Sequence, residues 1–386
     1  MRQKSVFVNI VTWNGMKYLP EAFASLERQT FKNFTVTVID NGSIDGTVDY
    51  VRNNFPHFQM LRNVKNLGFA RAHNQGIEMV RNVFYRRDEG DASGCFILLM
   101  NQDIILEPNC LEILVNKIEE KEEVGVIGPK LLRAFWDLET MGRTSEVICS
   151  KIIDSTGLVL KKTKQCVDRG SGELEGDKHN IGDYVFGISG ALPMFRLKAL
   201  EDARAEIRNP KSEIRNKFKI QNSKFQTTPT FSPCFAPSEI GGVSARGGSA
   251  FGGRGGGEYF DEDFFTYKED IDLCWRLKNI GWKAYYEPTA VAYHFRGAKG
   301  TETFSLFRIL KERRKKSKLV NFWSTRNHLL ALVKNLSFKE FFRDAWAIIP
   351  YELIKFIYIL FFETDNLRAY GDFLKLLPRA IKKRFR

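Results

Sequence analysis

Six cysteines are spread over 386 residues, and none forms a CxxC pair or a cysteine–histidine spacing of the metal-binding kind. That pattern excludes a zinc module, and free thiols in a reducing compartment are the simplest reading of Cys95, Cys110, Cys149, Cys166, Cys234 and Cys274. The opening stretch MRQKSVFVNIVTWNG lacks the long apolar run and small-residue cleavage site of a signal peptide, and reads as the start of a strand. No GK[ST] is present, and the glycines of 252–257 neither follow a strand nor open a helix, which excludes a phosphate loop there. The most apolar stretch, Ala345 to Phe362, is interrupted by Pro350, Glu352 and Lys355, so it is a poor spanning helix, which needs ~20 mainly apolar residues.

What is present is a 43% hydrophobic, 13% aromatic chain, long enough for one large domain or two modest ones. The net charge of +13 is lopsided: from Phe304 onward 19 Lys/Arg face 7 Asp/Glu, and the body before them is close to neutral. A basic tail on a neutral body points to an anionic surface for the tail alone. Its aromatic, apolar helical patterns, Phe322 to Leu336 and Phe338 to Phe362, suit an interfacial helix on anionic lipid better than nucleic acid. The alternative is a helical pair packed on the body.

Strand and helix alternate through the first 130 residues, which predicts a mostly parallel sheet covered on both faces. Strands are expected at Val6–Thr12, Phe34–Ile39, Gln59–Leu61, Cys95–Met100 and Val124–Ile127, with helices at Tyr18–Gln29, Thr47–Val51, near Phe69–Val80 and Asn109–Glu120. Such sheets bind ligands beyond the carboxyl ends of their strands. Polar clusters lie at those ends: Thr12-Trp13-Asn14, Asp40-Asn41, Asn66 and Asn101-Gln102-Asp103. One such cluster is turn chemistry; four on one edge read as a site. Residues 201–257, rich in glycine, proline and serine with a rough repeat, read as a disordered insert.

Farther on, YFDEDFFTYKEDIDLCWRLKNIGWKAYYEPTAVAYH sets carboxylates among aromatics ahead of a helical run from Ile271 to Ile280. Asp270 at the first turn of that helix is a candidate general base; alternatively Glu269, Asp270 and Asp272 only complement the helix dipole. An acidic tripeptide at a strand end can hold a divalent metal on a diphosphate, and a distant carboxylate can deprotonate a nucleophile. Nucleotide-sugar transfer needs that pairing.

The pieces VTWNG, VIDNGSIDGT, NLGFARAHNQGI, LLMNQDIILEP, GISGALPMFR and the Tyr259–His294 stretch together resemble family 2 inverting glycosyltransferases, in particular a rhamnosyltransferase-like branch that builds cell-surface polysaccharide. The resemblance implies an α/β GT-A fold over residues 1–300, with 301–386 a basic helical extension. It implies that Thr12, Asn14, Asp40 and Asn41 line the nucleotide pocket, and that Asn66, Gly68 and Asn74 lie along the nucleotide and diphosphate. Asn101 opens the position of the family's DxD motif, whose Asp103 would ligate Mg²⁺ or Mn²⁺, with His294 a further ligand. Asp270 would be the base, with Glu269 and then Asp261 next in line, and Trp275 would support its helix. The partners implied are a dTDP- or UDP-sugar donor and a glycan or lipid-linked acceptor, in the cytoplasm at the inner membrane face. Asn101 departs from the DxD pattern and brings no charge to the metal. The insert also departs from the pattern, and long surface insertions cost little through loop entropy. Two rivals are a nucleotidyltransferase, whose basic glycine-rich loop is missing from VTWNGMKYLP, and an inactive membrane-associated sugar-binding scaffold.

Overall fold

The computed structural model describes residues 4–85, 94–136, 147–208, 258–295, 313 and 316–384. The first half alternates as β1 (Ser5–Thr12), α1 (Leu19–Glu27), β2 (Phe34–Asp40), α2 (Thr47–Asn54), β3 (Gln59–Arg62) and α3 (Phe69–Tyr85). Next come β4 (Cys95–Asn101), β5 (Ile104–Leu106), α4 (Cys110–Glu120) and β6 (Val124–Trp136). Short strands follow: β7 (Val147–Ser155), β8 (Leu158–Leu160), β9 (Cys166–Asp168), β10 (Asp183–Val185) and β11 (Met194–Arg196). The rest is α5 (Leu197–Arg208), α6 (Glu269–Asn279), β12 (Lys283–His294), α7 (Lys318–Asn335), α8 (Phe338–Phe362) and α9 (Arg368–Arg384).

A mostly parallel central sheet runs in the order β10-β12-β6-β11-β4-β1-β2-β3, with β5 on β12 and β7 on β6. The strands β3, β2, β1 and β4 are mutually parallel, as are β6 and β12, and β11 is wedged antiparallel between β4 and β6. β4 shows why the sheet sits where it does. Phe96, Leu98 and Met100 point into one core with α1 and α4, while Cys95, Ile97 and Leu99 point into a second with α3, α5 and α6. Period-two alternation with apolar side chains on both faces is the mark of a strand covered twice. Each fully buried Leu, Ile or Phe contributes roughly 1.5–3 kcal/mol.

The structure redraws several expected elements. The sequence predicts two short strands, Trp282–Tyr286 and Val291–His294; they form one strand, Lys283–His294, with a register shift between Glu287 and Val291. Residues 201–208 belong to α5 rather than to an insert, because Leu197, Ala199, Leu200 and Ala203 bury one face of that helix against the second core. The rest of the insert and its glycines lie outside the described residues, as does most of the expected helix 304–320. Where the chain returns, Tyr259 Oη donates to Glu201 at 2.6 Å and accepts from Arg204 at 2.7 Å. Helix α9 was not foreseen. The C-terminal helices share two apolar clusters with the body, one around Phe264, Leu330 and Ala380, the other around Trp275, Leu336 and Ile348.

Candidate active site

The strand ends form a hydrogen-bonded rim. Asp40, fully buried at the end of β2, accepts from the backbone N–H groups of Gly42 and Ser43 and so folds its own turn. Asn14 accepts from the N–H of Ile44 and donates its own N–H to Ser43 Oγ, tying the turn after β1 to the turn after β2. Asn41 reaches the third turn, donating to Asn66 Oδ1 and the Gly68 carbonyl. Gly68 has φ +82° and lies so close to Phe265 that a Cβ would meet its ring at 2.6 Å, so glycine is required there twice over. Thr12 Oγ1 donates to Gln102 Oε1 at 2.7 Å, joining β1 to the tripeptide at the end of β4.

Asn74 stands apart from this rim. Its amide clasps Phe260 at both ends, Nδ2 to the carbonyl and Oδ1 from the N–H, each at 2.8 Å. Both polar ends are thus engaged in fastening α3 to the acidic segment, 186 residues away.

Asp103 follows Asn101 and Gln102 and faces His294, with Nε2 3.4 Å from Oδ1. The other imidazole nitrogen, Nδ1, lies 2.8 Å from Asp154 Oδ2, and the N–H of Phe295 donates to the Asp103 carbonyl. Burial alone would push the His294 pKa down. The hydrogen bonds and charges of Asp103 and Asp154 outweigh that and raise it to about 9. A histidine whose Nδ1 is held by a carboxylate and whose Nε2 faces a second carboxylate has the donor arrangement of a metal ligand. Among the described residues no group of three or more His, Cys, Asp or Glu gathers to hold an ion. A Mg²⁺- or Mn²⁺-type ion held by this pair would displace the imidazole proton and complete its shell with substrate phosphate and water. Asp154 was missed because a lone aspartate in an irregular stretch carries no local signal.

Asp270 opens α6 at the same edge. Its Oδ2 accepts from Gly190 N–H at 2.9 Å and its Oδ1 from Ile271 N–H at 2.8 Å. The next residue, Ala191, accepts the N–H of Asn101 at 3.0 Å. One peptide step, about 3.8 Å between Cα atoms, therefore links the base candidate to the Asn101-Gln102-Asp103 turn. Burial raises the Asp270 pKa, and the two backbone N–H groups oppose that only in part. Glu269 is buried with Oε2 unpartnered, and burial, then the neighbouring Asp270 charge, raise its pKa to about 8. Glu269 is thus neutral near pH 7 and leaves the negative charge to Asp270. Asp261, named as a reserve base, is not one: Lys334 at 2.7 Å and Lys383 hold it ionised despite its burial.

The loop ahead of Asp270 is bent through three non-glycine residues with positive φ, Phe265 (62°), Tyr267 (67°) and Lys268 (70°), each costing of order 1–3 kcal/mol. Helix α7 holds it in place. The amide nitrogen of buried Asn327 lies 2.7–2.9 Å from the carbonyls of Phe264, Thr266 and Tyr267. Arg326 takes the carbonyls of Asp263 and Phe264, and Trp323 stacks on Phe265 at 5.1 Å. Trp275, buried beneath α6, packs edge-on against Phe186.

Residues 7–238 match the sequence model of the family described as Glycosyl transferase family 2. The chain belongs to glycosyltransferase family 2. This transferase is 24% identical over 288 residues to the N-acetylglucosaminyl-diphospho-decaprenol L-rhamnosyltransferase of Mycobacterium tuberculosis, covering 74% of each chain. It is 26% identical over 129 residues to an uncharacterized glycosyltransferase of Haemophilus influenzae, covering 33% of this chain and 36% of that one. Among solved structures, GalNAc-T7 with UDP, GalNAc and Mn²⁺ superposes with a TM-score of 0.50 at 11% identity, covering 86% of the transferase but 48% of that chain. The transferase thus has the GT-A fold.

Proposed function

We propose that this glycosyltransferase moves a sugar, such as rhamnose, from a dTDP- or UDP-sugar to a hydroxyl of a lipid-linked or glycan acceptor, inverting the anomeric carbon. The observation that carries the reading is the pair of backbone bonds joining Asp270 and the Asn101-Gln102-Asp103 turn through Gly190 and Ala191. Asp270 takes the acceptor proton as the hydroxyl oxygen bonds to the anomeric carbon, and the bond from that carbon to the diphosphate oxygen breaks. The nucleoside diphosphate leaves with the electron pair. The raised pKa of Asp270 makes it a stronger base than a solvated aspartate. Asp103 and His294 would hold a divalent ion, which when bound stabilises charge on the departing diphosphate. Thr12, Asn14, Asp40, Asn41, Asn66 and Gly68 shape the nucleotide side, while Asn74 serves the scaffold. The Mycobacterium tuberculosis relative, named for transfer to N-acetylglucosaminyl-diphospho-decaprenol, supports a lipid-linked acceptor, and with it a place in cell-surface polysaccharide synthesis is part of the proposal. Free thiols at Cys110, Cys166 and Cys274 suit a cytoplasmic enzyme.

Calorimetric titration with UDP, dTDP and GDP, each with Mn²⁺, Mg²⁺ or EDTA, tests the donor side. One pyrimidine diphosphate should bind, and EDTA should abolish it. Asp270→Asn should lower turnover by about 10²–10⁴-fold with that binding kept. Near-normal turnover would move the base elsewhere.

A further inference from the structure

Helix α8 keeps a broad apolar stripe turned away from the body. Its protein-facing side mixes buried Ile348, Tyr358 and Ile359 with charged groups: Asp344 pairs with Lys164 at 2.7 Å, Glu352 with His328 at 2.7 Å, and Lys355 with Glu352 at 2.9 Å. Its outward side is apolar, with Phe338, Phe342, Trp346, Ile349, Leu353, Ile357 and Phe361 spaced by three or four residues and all well exposed. Among the described residues α8 alone is long and apolar enough to cross a membrane by length and composition, yet only 22% of its most apolar window is buried. Lys164 of the body holds its N-terminal half through Asp344, and His328 of α7 holds its middle through Glu352, while the Lys355–Glu352 pair lies within the helix itself. A helix so fastened lies flat rather than spanning.

Beside its N-terminal half opens a basic groove of about 390 Å³, lined by Lys161, Lys162, Lys164, Lys278, Lys283 and Arg343 against the carboxylates Glu340 and Asp344. Lys162 Nζ stands 5.6 Å over the ring of Trp346, so the groove and the apolar stripe are continuous. Arg368, Lys375, Arg379 and Lys382 add exposed cations beyond the helix. An apolar stripe edged by cations matches the cross-section of an anionic bilayer, acyl chains against the stripe and phosphates against the lysines.

We propose that α8 is an in-plane anchor that seats the enzyme on an anionic membrane surface, with lipid phosphates in the Lys162–Lys283 groove. The proposal stands independently of the sugar transferred, since binding is read without turnover. Flotation with phosphatidylglycerol vesicles should carry the full chain up, phosphatidylcholine vesicles should carry far less, and 0.5 M salt (roughly a 3–4 Å Debye length) should release much of it. The surface variant Trp346→Glu/Leu353→Glu should lower partitioning at least about tenfold, and Lys162→Glu/Lys283→Glu should remove the preference for anionic lipid, both with unchanged circular dichroism and nucleotide binding. A wild-type chain that stays with the soluble fraction would overturn the proposal. So would retention in membranes after both salt and alkaline washing, which marks a spanning helix. A chain that sediments as a dimer, turns monomeric in the Trp346→Glu/Leu353→Glu variant and ignores vesicles would assign the stripe to a second copy instead.

Discussion

Two acidic side chains at the head of α6 divide the work of one proton. The native pKa of Glu269, about 8, lies above its ordinary 4.5, so the folded chain keeps a proton that the unfolded chain loses across that interval. Stability from this group is therefore whole below about pH 4.5 and is lost as pH rises through 8. Glu269→Gln should flatten that fall, with an unfolding free energy on the order of 1–4 kcal/mol above wild type at pH 8 and little difference at pH 5. Chemical denaturation at the two pH values decides it, and parallel curves would show that Glu269 ionises freely. At the proposed metal pair, Asp154→Asn keeps the shape but removes the charge behind His294. Mn²⁺ affinity in the presence of nucleotide should fall about 10–100-fold, read by calorimetry. The places of Asp103 just past the end of β4, Asp270 at the head of α6 and His294 at the end of β12 were legible from the sequence because those elements carry strong apolar patterns. Asp154 was not, since its contact with His294 spans 140 residues of sequence. Asn74 was legible as a site residue and turns out to hold the backbone of Phe260.

At the scale of elements, α7 holds the loop that positions the proposed base. Asn327 reads as a polar residue in a helical run, and nothing local marks it as the support for three carbonyls. Asn327→Ala should leave those carbonyls to water, cost about 1–3 kcal/mol of stability and lower kcat by ~10–100-fold, as a misplaced reacting group does. Nucleotide affinity should hold, and the acid limb of the kcat/KM profile should move, because Asp270 changes its surroundings. An unchanged profile with a simple loss of folded protein would reduce Asn327 to a packing role. The same reasoning explains which elements the sequence announced. The strands β1, β2 and β4 were visible through their uninterrupted apolar runs. Helix α9 escaped notice because its core contribution is only Ala369, Phe373, Leu376 and Ala380, set among six Lys and Arg.

Across the molecule, the C-terminal helices are part of the body rather than an attachment. Lys334 reaches both Asp261 and Asp272, and Lys383 reaches Glu258, Asp261 and Asp263. A basic tail read from composition alone suggested an external anionic partner. Part of that charge instead neutralises the acidic segment, and Arg368, Lys375, Arg379 and Lys382 stay exposed on α9. The boundary near residue 300 was a change of composition that the packing does not respect, since Trp275 and Phe264 lie in clusters built jointly with α7, α8 and α9.

The small knot made by Glu201, Arg204 and Tyr259 has a consequence for how this gene can change. It ties the end of α5 to the acidic segment, so closing the stretch between them costs entropy that grows only logarithmically with a flexible chain's length, about 0.6 kcal/mol per doubling. Insertions or deletions there should then change stability little. The same tolerance makes it a graft point. Deleting residues 214–252 and rejoining the chain with a short glycine–serine linker should leave donor affinity and turnover within about twofold, as expected for a surface excursion. A collapse of activity would mean that the stretch reaches back to the site.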